Sequence, residues 1–172
     1  GDTNFFTRVD INYDDRSEFN RAKSAAKSSD VVVMVLGEEG YQTGEGRSRT
    51  NLLLPGLQQE LLEEIYKINK NIVLVLVNGR PLNISWADEN IPAIVEAWHL
   101  GSQAGNAIAQ VLYGDYNPSG KLTMTFPRNV GQVPIYYNYK NTGRPSKSQK
   151  AVTTSAYSDV ENSPVYPFGY GL

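Results

Sequence analysis

Two short, unbroken apolar runs constrain this chain more than anything else in it: Val31-Val32-Val33-Met34-Val35-Leu36 and Ile72-Val73-Leu74-Val75-Leu76-Val77. Both are rich in β-branched residues, and polar residues bound them: Asp30 before the first, Asn71 and Asn78 around the second. Runs of this length without polar alternation suit strands buried on both faces, as in parallel sheets. The segment between them reads as a helix. Pro55 suits its first position. Leu57, Leu61, Leu62, Ile65 and Ile68 recur at helical spacing, while Gln58, Gln59, Glu63 and Glu64 are placed toward water. Strand, helix, strand is a βαβ unit, for which a right-handed crossover is expected.

The flanking pattern extends the unit. Asp15 to Ser29 reads as a helix with Ser17 as its N-cap and Phe19, Ala22, Ala25 and Ala26 on one face. Ala93 to Ala97 reads as a short third strand ending at Trp98-His99. Gly101 to Leu112 is an alanine-rich helix, with Gly114 as its C-terminal cap. Asn117-Pro118-Ser119-Gly120 is a turn. Leu122, Met124 and Phe126 alternate with polar neighbours, the mark of an edge or antiparallel strand. From Pro127 onward the chain is rich in Pro, Gly, Tyr, Asn and Ser and reads as loop.

Composition narrows the function. At 172 residues, 40% hydrophobic, 20% charged and a net charge of −2, the chain has the size and make-up of one globular domain. No Lys/Arg cluster points to nucleic acid. No apolar run approaches the roughly 18 residues of a membrane helix. With no cysteine and a single histidine, His99, thiolate and multi-histidine metal sites are excluded. Gly1-Asp2-Thr3-Asn4-Phe5-Phe6 lacks the basic and apolar regions of a signal peptide. The abrupt start and finish suggest a piece of a longer polypeptide.

Chemistry is concentrated just past the first strand. Gly37-Glu38-Glu39-Gly40-Tyr41-Gln42-Thr43-Gly44-Glu45-Gly46-Arg47-Ser48-Arg49 holds three carboxylates, four glycines, one aromatic ring and two arginines. In open α/β sheets, ligands bind beyond the carboxyl ends of the strands. On composition alone, solvated loop carboxylates are the better explanation of all three glutamates. Arg47 and Arg49 could bond a polar ligand, or tie the loop down through carboxylates. Tyr41 could line a ligand site or lie idle at the surface. His99 and Trp98 end a strand, where a histidine is more often packed than catalytic. Trp86 reads as a core or interdomain contact. Gly101-Ser102-Gln103-Ala104-Gly105-Asn106 opens a helix but fits neither the dinucleotide nor the Walker pattern, so close helix packing is the simpler reading. Asn83-Ile84-Ser85 is a glycosylation sequon by accident of sequence.

Four segments together resemble the second domain of glycoside hydrolase family 3, the β-glucosidase and β-xylosidase type. They are DVVVMVLGE from Asp30 with EGRSRTNLLLPGLQQ from Glu45, VLVNGRPL from Val75, AIVEAWHLGSQAGNAIAQVLYGDYNPS from Ala93, and GKLTMTFPRNVGQVPIYY from Gly120. The terminal YPFGYGL is similar to the start of that family's link to a fibronectin-like third domain. The resemblance covers nearly everything after Ala22, and the order and spacing of the segments make it specific. It implies an α/β fold: a three-layer α/β/α sandwich with a mostly parallel, doubly wound sheet and an antiparallel edge strand. Residues 1–172 then form one domain, of which 127–172 is a loop-rich tail leading to a missing third domain.

The resemblance also implies a reaction. Family members mostly hydrolyse terminal β-linked sugars with retention, using two carboxyl groups about 5–5.5 Å apart. The nucleophile is an aspartate on a (β/α)₈ barrel that precedes this domain, so the expected partner is a barrel of the same polypeptide. In many members the second domain donates the acid/base glutamate from the loop after its first strand. Glu45 is the first choice, because it precedes Arg47-Ser48-Arg49 and Leu52-Leu53-Leu54-Pro55 at the family spacing. Glu39, before Gly40-Tyr41, resembles the form of other branches and is the runner-up. Glu38, ending the strand, reads as a structural residue that hydrogen-bonds the loop. Tyr41, Arg47 and Arg49 are the candidate substrate-binding residues. The substrate is an oligosaccharide or glycoside; no metal or other cofactor is needed for this chemistry, and neither nucleic acid nor membrane is a partner. The chain alone is expected to be inactive. Similar bacterial enzymes are often exported, which implies a periplasmic or secreted protein.

Two other functions stay open. The domain could hold sugar or pack on a barrel without donating an acid, as in relatives of the N-acetylglucosaminidase type, whose acid/base is a His–Asp pair on a barrel loop. An unrelated nucleotide-binding α/β domain is the third, weakened by the lack of a phosphate loop.

Overall fold

The computed structural model describes residues 14–138, 140 and 156–172. The opening hexapeptide and part of the predicted tail lie outside the described residues. Three parallel strands form the centre: β1 (Val32–Gly37), β2 (Ile72–Val77) and β3 (Ala93–Glu96), side by side in that order. Val32 pairs with Ile72, and Val73 with Ala93. The chain crosses from β1 to β2 through α2 (Gln58–Ile68) and from β2 to β3 through α3 (Ser85–Asn90).

One face of the sheet carries the core. Met34, Ile72, Leu74 and Leu76 meet Leu62 and Ile65 of α2, Ala87 of α3, and Ala26 of α1 (Phe19–Lys27). The side chains of Ile72, Leu74, Leu76 and Leu62 are completely shielded from solvent. Strand alternation sends the neighbouring residues to the opposite face. There Val75 is buried, but Val33 and Val35 stay 48% and 58% exposed. Thus the uniformly apolar β1 run is packed on one side only.

The helices begin later than their patterns suggest. At α1, Asp15 rather than Ser17 makes the turn, its Oδ1 accepting from the Ser17 backbone N–H at 2.8 Å; Glu18 stands at the N-cap without a side-chain capping bond. At α2, Pro55 belongs to a preceding turn whose carbonyl accepts from Gln58 N. Ion pairs tie α1 and the turn before it to α2, Lys23 with Glu64 and Arg16 with Glu60. The segment Asn83–Asn90 contains a helix, α3, that the apolar pattern misses. Asn83 Oδ1 accepts from the N–H and hydroxyl of Ser85, a local turn that starts it.

A 3₁₀ turn (Gly101–Gln103) leads into α4 (Ala104–Leu112), closed as expected by Gly114 in the left-handed region at φ 81°. The pairing expected around Leu122–Phe126 is an isolated antiparallel bridge, Phe126 with Tyr166, outside the three-stranded sheet. Leu122 N also donates to Tyr170 O, and Gly169 N to Leu122 O. The last residues therefore pack back onto the domain. Phe126 is buried beneath Trp98 and Tyr166, and the Tyr166 hydroxyl donates to Asp88 of α3 at 2.6 Å.

Candidate active site

The loops leaving the carboxyl ends of all three strands converge. At the end of β1, Gly37 has φ 140°, and a Cβ there would lie 1.9 Å from the carbonyl oxygen of Val77. Only glycine lets the chain leave this close to β2. The side chain of Gln58 then brackets Gly37, accepting from its N–H at 2.7 Å and donating to its carbonyl at 2.9 Å. Gln58 is thus an anchor between the last residue of β1 and the first of α2, not the water-facing residue its helical position implies.

Glu38 follows and has no exposed side-chain surface. Arg49 Nη1 donates to its Oε1 at 2.7 Å, and Gly79 N donates to its Oε2 at 3.2 Å. Arg80 Nε lies 2.9 Å from Oε1, an ion-pair contact off the direction of a hydrogen bond. Two guanidinium groups compensate the buried charge, as a carboxylate without solvent requires. Arg49 also donates to Leu53 O, so it closes the loop on Glu38.

Beyond this base the loop rises to an exposed tip. Gln42 is buried, its Oε1 accepting from Glu39 N at 2.9 Å. Arg80 Nη2 donates to the carbonyls of Gln42 and Arg47, at 2.7 and 2.8 Å. Between these two points Glu45 sits in solvent, flanked by Gly44 and Gly46 with φ of 117° and 69°. Glu39 and Tyr41 are exposed as well, and Arg47 is half-buried. Of the six residues singled out in this loop, the structure ties Glu38 to Arg49 at the base and sets Glu39, Tyr41 and Glu45 outward.

The other two loops close the floor. Gly79 packs against Thr43 and His99: a Cβ on Gly79 would fall 2.0 Å from Thr43 Oγ1 and 3.3 Å from His99 Nε2. His99 is exposed, with the edge of its ring beside Gly79. Asn78 is fully buried, donating to Arg80 O at 2.8 Å and weakly to Glu96 Oε2 at 3.4 Å. Glu96, the last residue of β3, also accepts from Trp98 N at 2.9 Å. Burial pushes its carboxyl up to about 7, against the opposing pull of those two bonds. Trp98 holds φ 47°, a strained value for a bulky residue. Sequence reasoning passed over Glu96, although an acid closing an apolar strand was there to be read.

A parallel α/β sandwich with a carboxylate-bearing loop above the strand ends defines the class, and comparison with known proteins gives the family. Residues 4–172 match the model of the glycosyl hydrolase family 3 C-terminal domain. The chain is 51% identical over 154 residues, 89% of its length, to a periplasmic β-glucosidase of Salmonella typhimurium. It is 46% identical over 169 residues, 98% of its length, to a β-xylosidase of Formosa agariphila. It superposes on the crystal structure of a β-glucosidase from Listeria innocua in complex with glucose with a TM-score of 0.87 at 38% identity, covering 95% of this chain and 23% of that one. The chain belongs to the glycosyl hydrolase family 3 C-terminal domain. It spans only 20% and 22% of the length of the first two relatives.

Proposed function

We propose that this chain is the second domain of a retaining, exo-acting β-glycosidase of β-glucosidase type that releases terminal β-linked sugars. In this reading Glu45 is the general acid/base, and the nucleophile belongs to a (β/α)₈ barrel elsewhere in the same polypeptide. The observation that carries it is the contrast within one loop: Glu38 is locked at the base, while Glu45 is presented outward at the tip. A general acid of this kind must hold its proton near neutral pH, which a docked sugar and a nearby nucleophile charge both favour. Glu39, also exposed, is the alternative acid. Tyr41 and Arg47 lie on the same loop and could contact the sugar, whereas Arg49 is engaged by Glu38. The chain alone is inactive in this reading, because it brings one of two carboxyl groups. Export is proposed from the periplasmic relative.

The test is Glu45→Gln in the longer enzyme. For substrates with poor leaving groups kcat/KM should fall by about 10²–10⁴-fold, the usual worth of a general acid. Activated aryl glycosides should lose far less, and azide should partly restore their turnover. A uniform small effect, with the large one appearing in Glu39→Gln, moves the role to Glu39. No leaving-group dependence in either variant leaves the domain as a sugar-holding or barrel-packing module.

A further inference from the structure

We propose that Arg80 is a positioning residue for the acid/base loop, an inference that rests on the reading of Glu45 above. Arg80 leaves the end of β2, yet its guanidinium works in the loop after β1. Nη2 carries two hydrogens, and each has a carbonyl: Gln42 O at 2.7 Å and Arg47 O at 2.8 Å. These two carbonyls stand on either side of the tip. The residues between them include Gly44 and Gly46, which by themselves resist no change of shape. Pinning both limbs converts a glycine-rich excursion into a fixed hairpin with Glu45 at its apex.

The clamp is itself held. Nε of Arg80 lies 2.9 Å from Oε1 of Glu38, whose side chain is fully buried and bound by Arg49 and by Gly79 N. The Arg80 carbonyl accepts from buried Asn78. The guanidinium thus lies against a buried carboxylate through Nε, an ion-pair contact without a hydrogen bond, and grips the loop through both hydrogens of Nη2. A lysine would keep the charge but not this planar fork. Charge alone therefore does not explain the arrangement, and the conservative replacement discriminates.

Arg80→Met and Arg80→Lys in the longer enzyme test the idea. Arg49 still neutralises Glu38 in both variants, so the domain should fold. Misplacing a catalytic group by about 1 Å can cost roughly 100-fold. Both variants should therefore lose about 10–100-fold in kcat/KM on an alkyl β-glycoside, and much less on a dinitrophenyl β-glycoside. Adding Arg80→Met to Glu45→Gln should change little, within about twofold, because the two act as one unit. Amide exchange at Gln42 and Arg47, each hydrogen-bonded inside the loop, should accelerate while β2 stays protected.

Unchanged exchange at those amides overturns the clamp. So does an equal loss on both substrates, or restoration by lysine. If Glu45→Gln itself shows no leaving-group dependence, the acid assignment fails instead, and the exchange measurement then decides the clamp on its own.

Discussion

Glu38 and Glu45 lie on one loop and have opposite circumstances. Glu38 is buried, ionically bound to Arg49 and Arg80, and joined to the backbone of a second loop. Glu45 is exposed between two glycines. The base spends its polar groups on internal contacts, and the tip holds the Glu45 side chain in solvent. The acid/base role proposed for Glu45 needs this division: a carboxylate cannot reach a substrate if its neighbours already hold it, and it cannot be aimed if nothing beneath it is rigid.

The largest test of the contrast is at the base. Glu38→Ala leaves two guanidinium groups facing an emptied, solvent-free site, and should cost about 3–5 kcal/mol in urea unfolding. A loss under about 1 kcal/mol would mean that solvent reaches the base after all.

Glu96 sharpens the comparison through pH. Its folded carboxyl titrates near 7, against an ordinary value of 4.5. Between these values the folded state keeps a proton that the unfolded state has lost. Stability therefore falls as pH rises from about 4.5 to about 7, by roughly 3 kcal/mol, and is unaffected by this group below that window. Glu96→Gln should flatten the fall when unfolding midpoints at pH 5 and pH 8 are compared. An equal slope in the variant would place the titrating group elsewhere.

The smallest effect belongs to the tip. Glu45→Ala should move stability by no more than about 0.5 kcal/mol, because an exposed side chain loses nothing on truncation. A marked destabilisation would show the tip bearing internal contacts and erase the distinction from Glu38.

Much of this architecture is written locally. The apolar runs of β1 and β2, the periodicity of α2 and Gly114 after α4 all act through near neighbours, so a linear reading finds them. α3 has six residues and no apolar stripe long enough to stand out; its signal is the Asn83–Ser85 turn. The start of α2 shifted because Pro55 serves the turn and Gln58 serves Gly37. Within the site, the position of the loop after a strand and its landmarks were legible. The linkage of Arg80 to Gln42 and Arg47 was not: these residues meet only after β1 and β2 pair, and no spacing announces it. Burial of Glu96 likewise depends on what covers the end of β3.

The Gln58 amide has a consequence for how such a domain can diversify. By fastening the exit of β1 to the entrance of α2, it forms a socket whose dimensions do not depend on what is mounted in it. Lengthening a loop whose ends are already fixed raises its closure entropy only slowly. Different excursions could therefore be fitted at this mount, each bringing its own chemistry, with the sheet beneath left as it is.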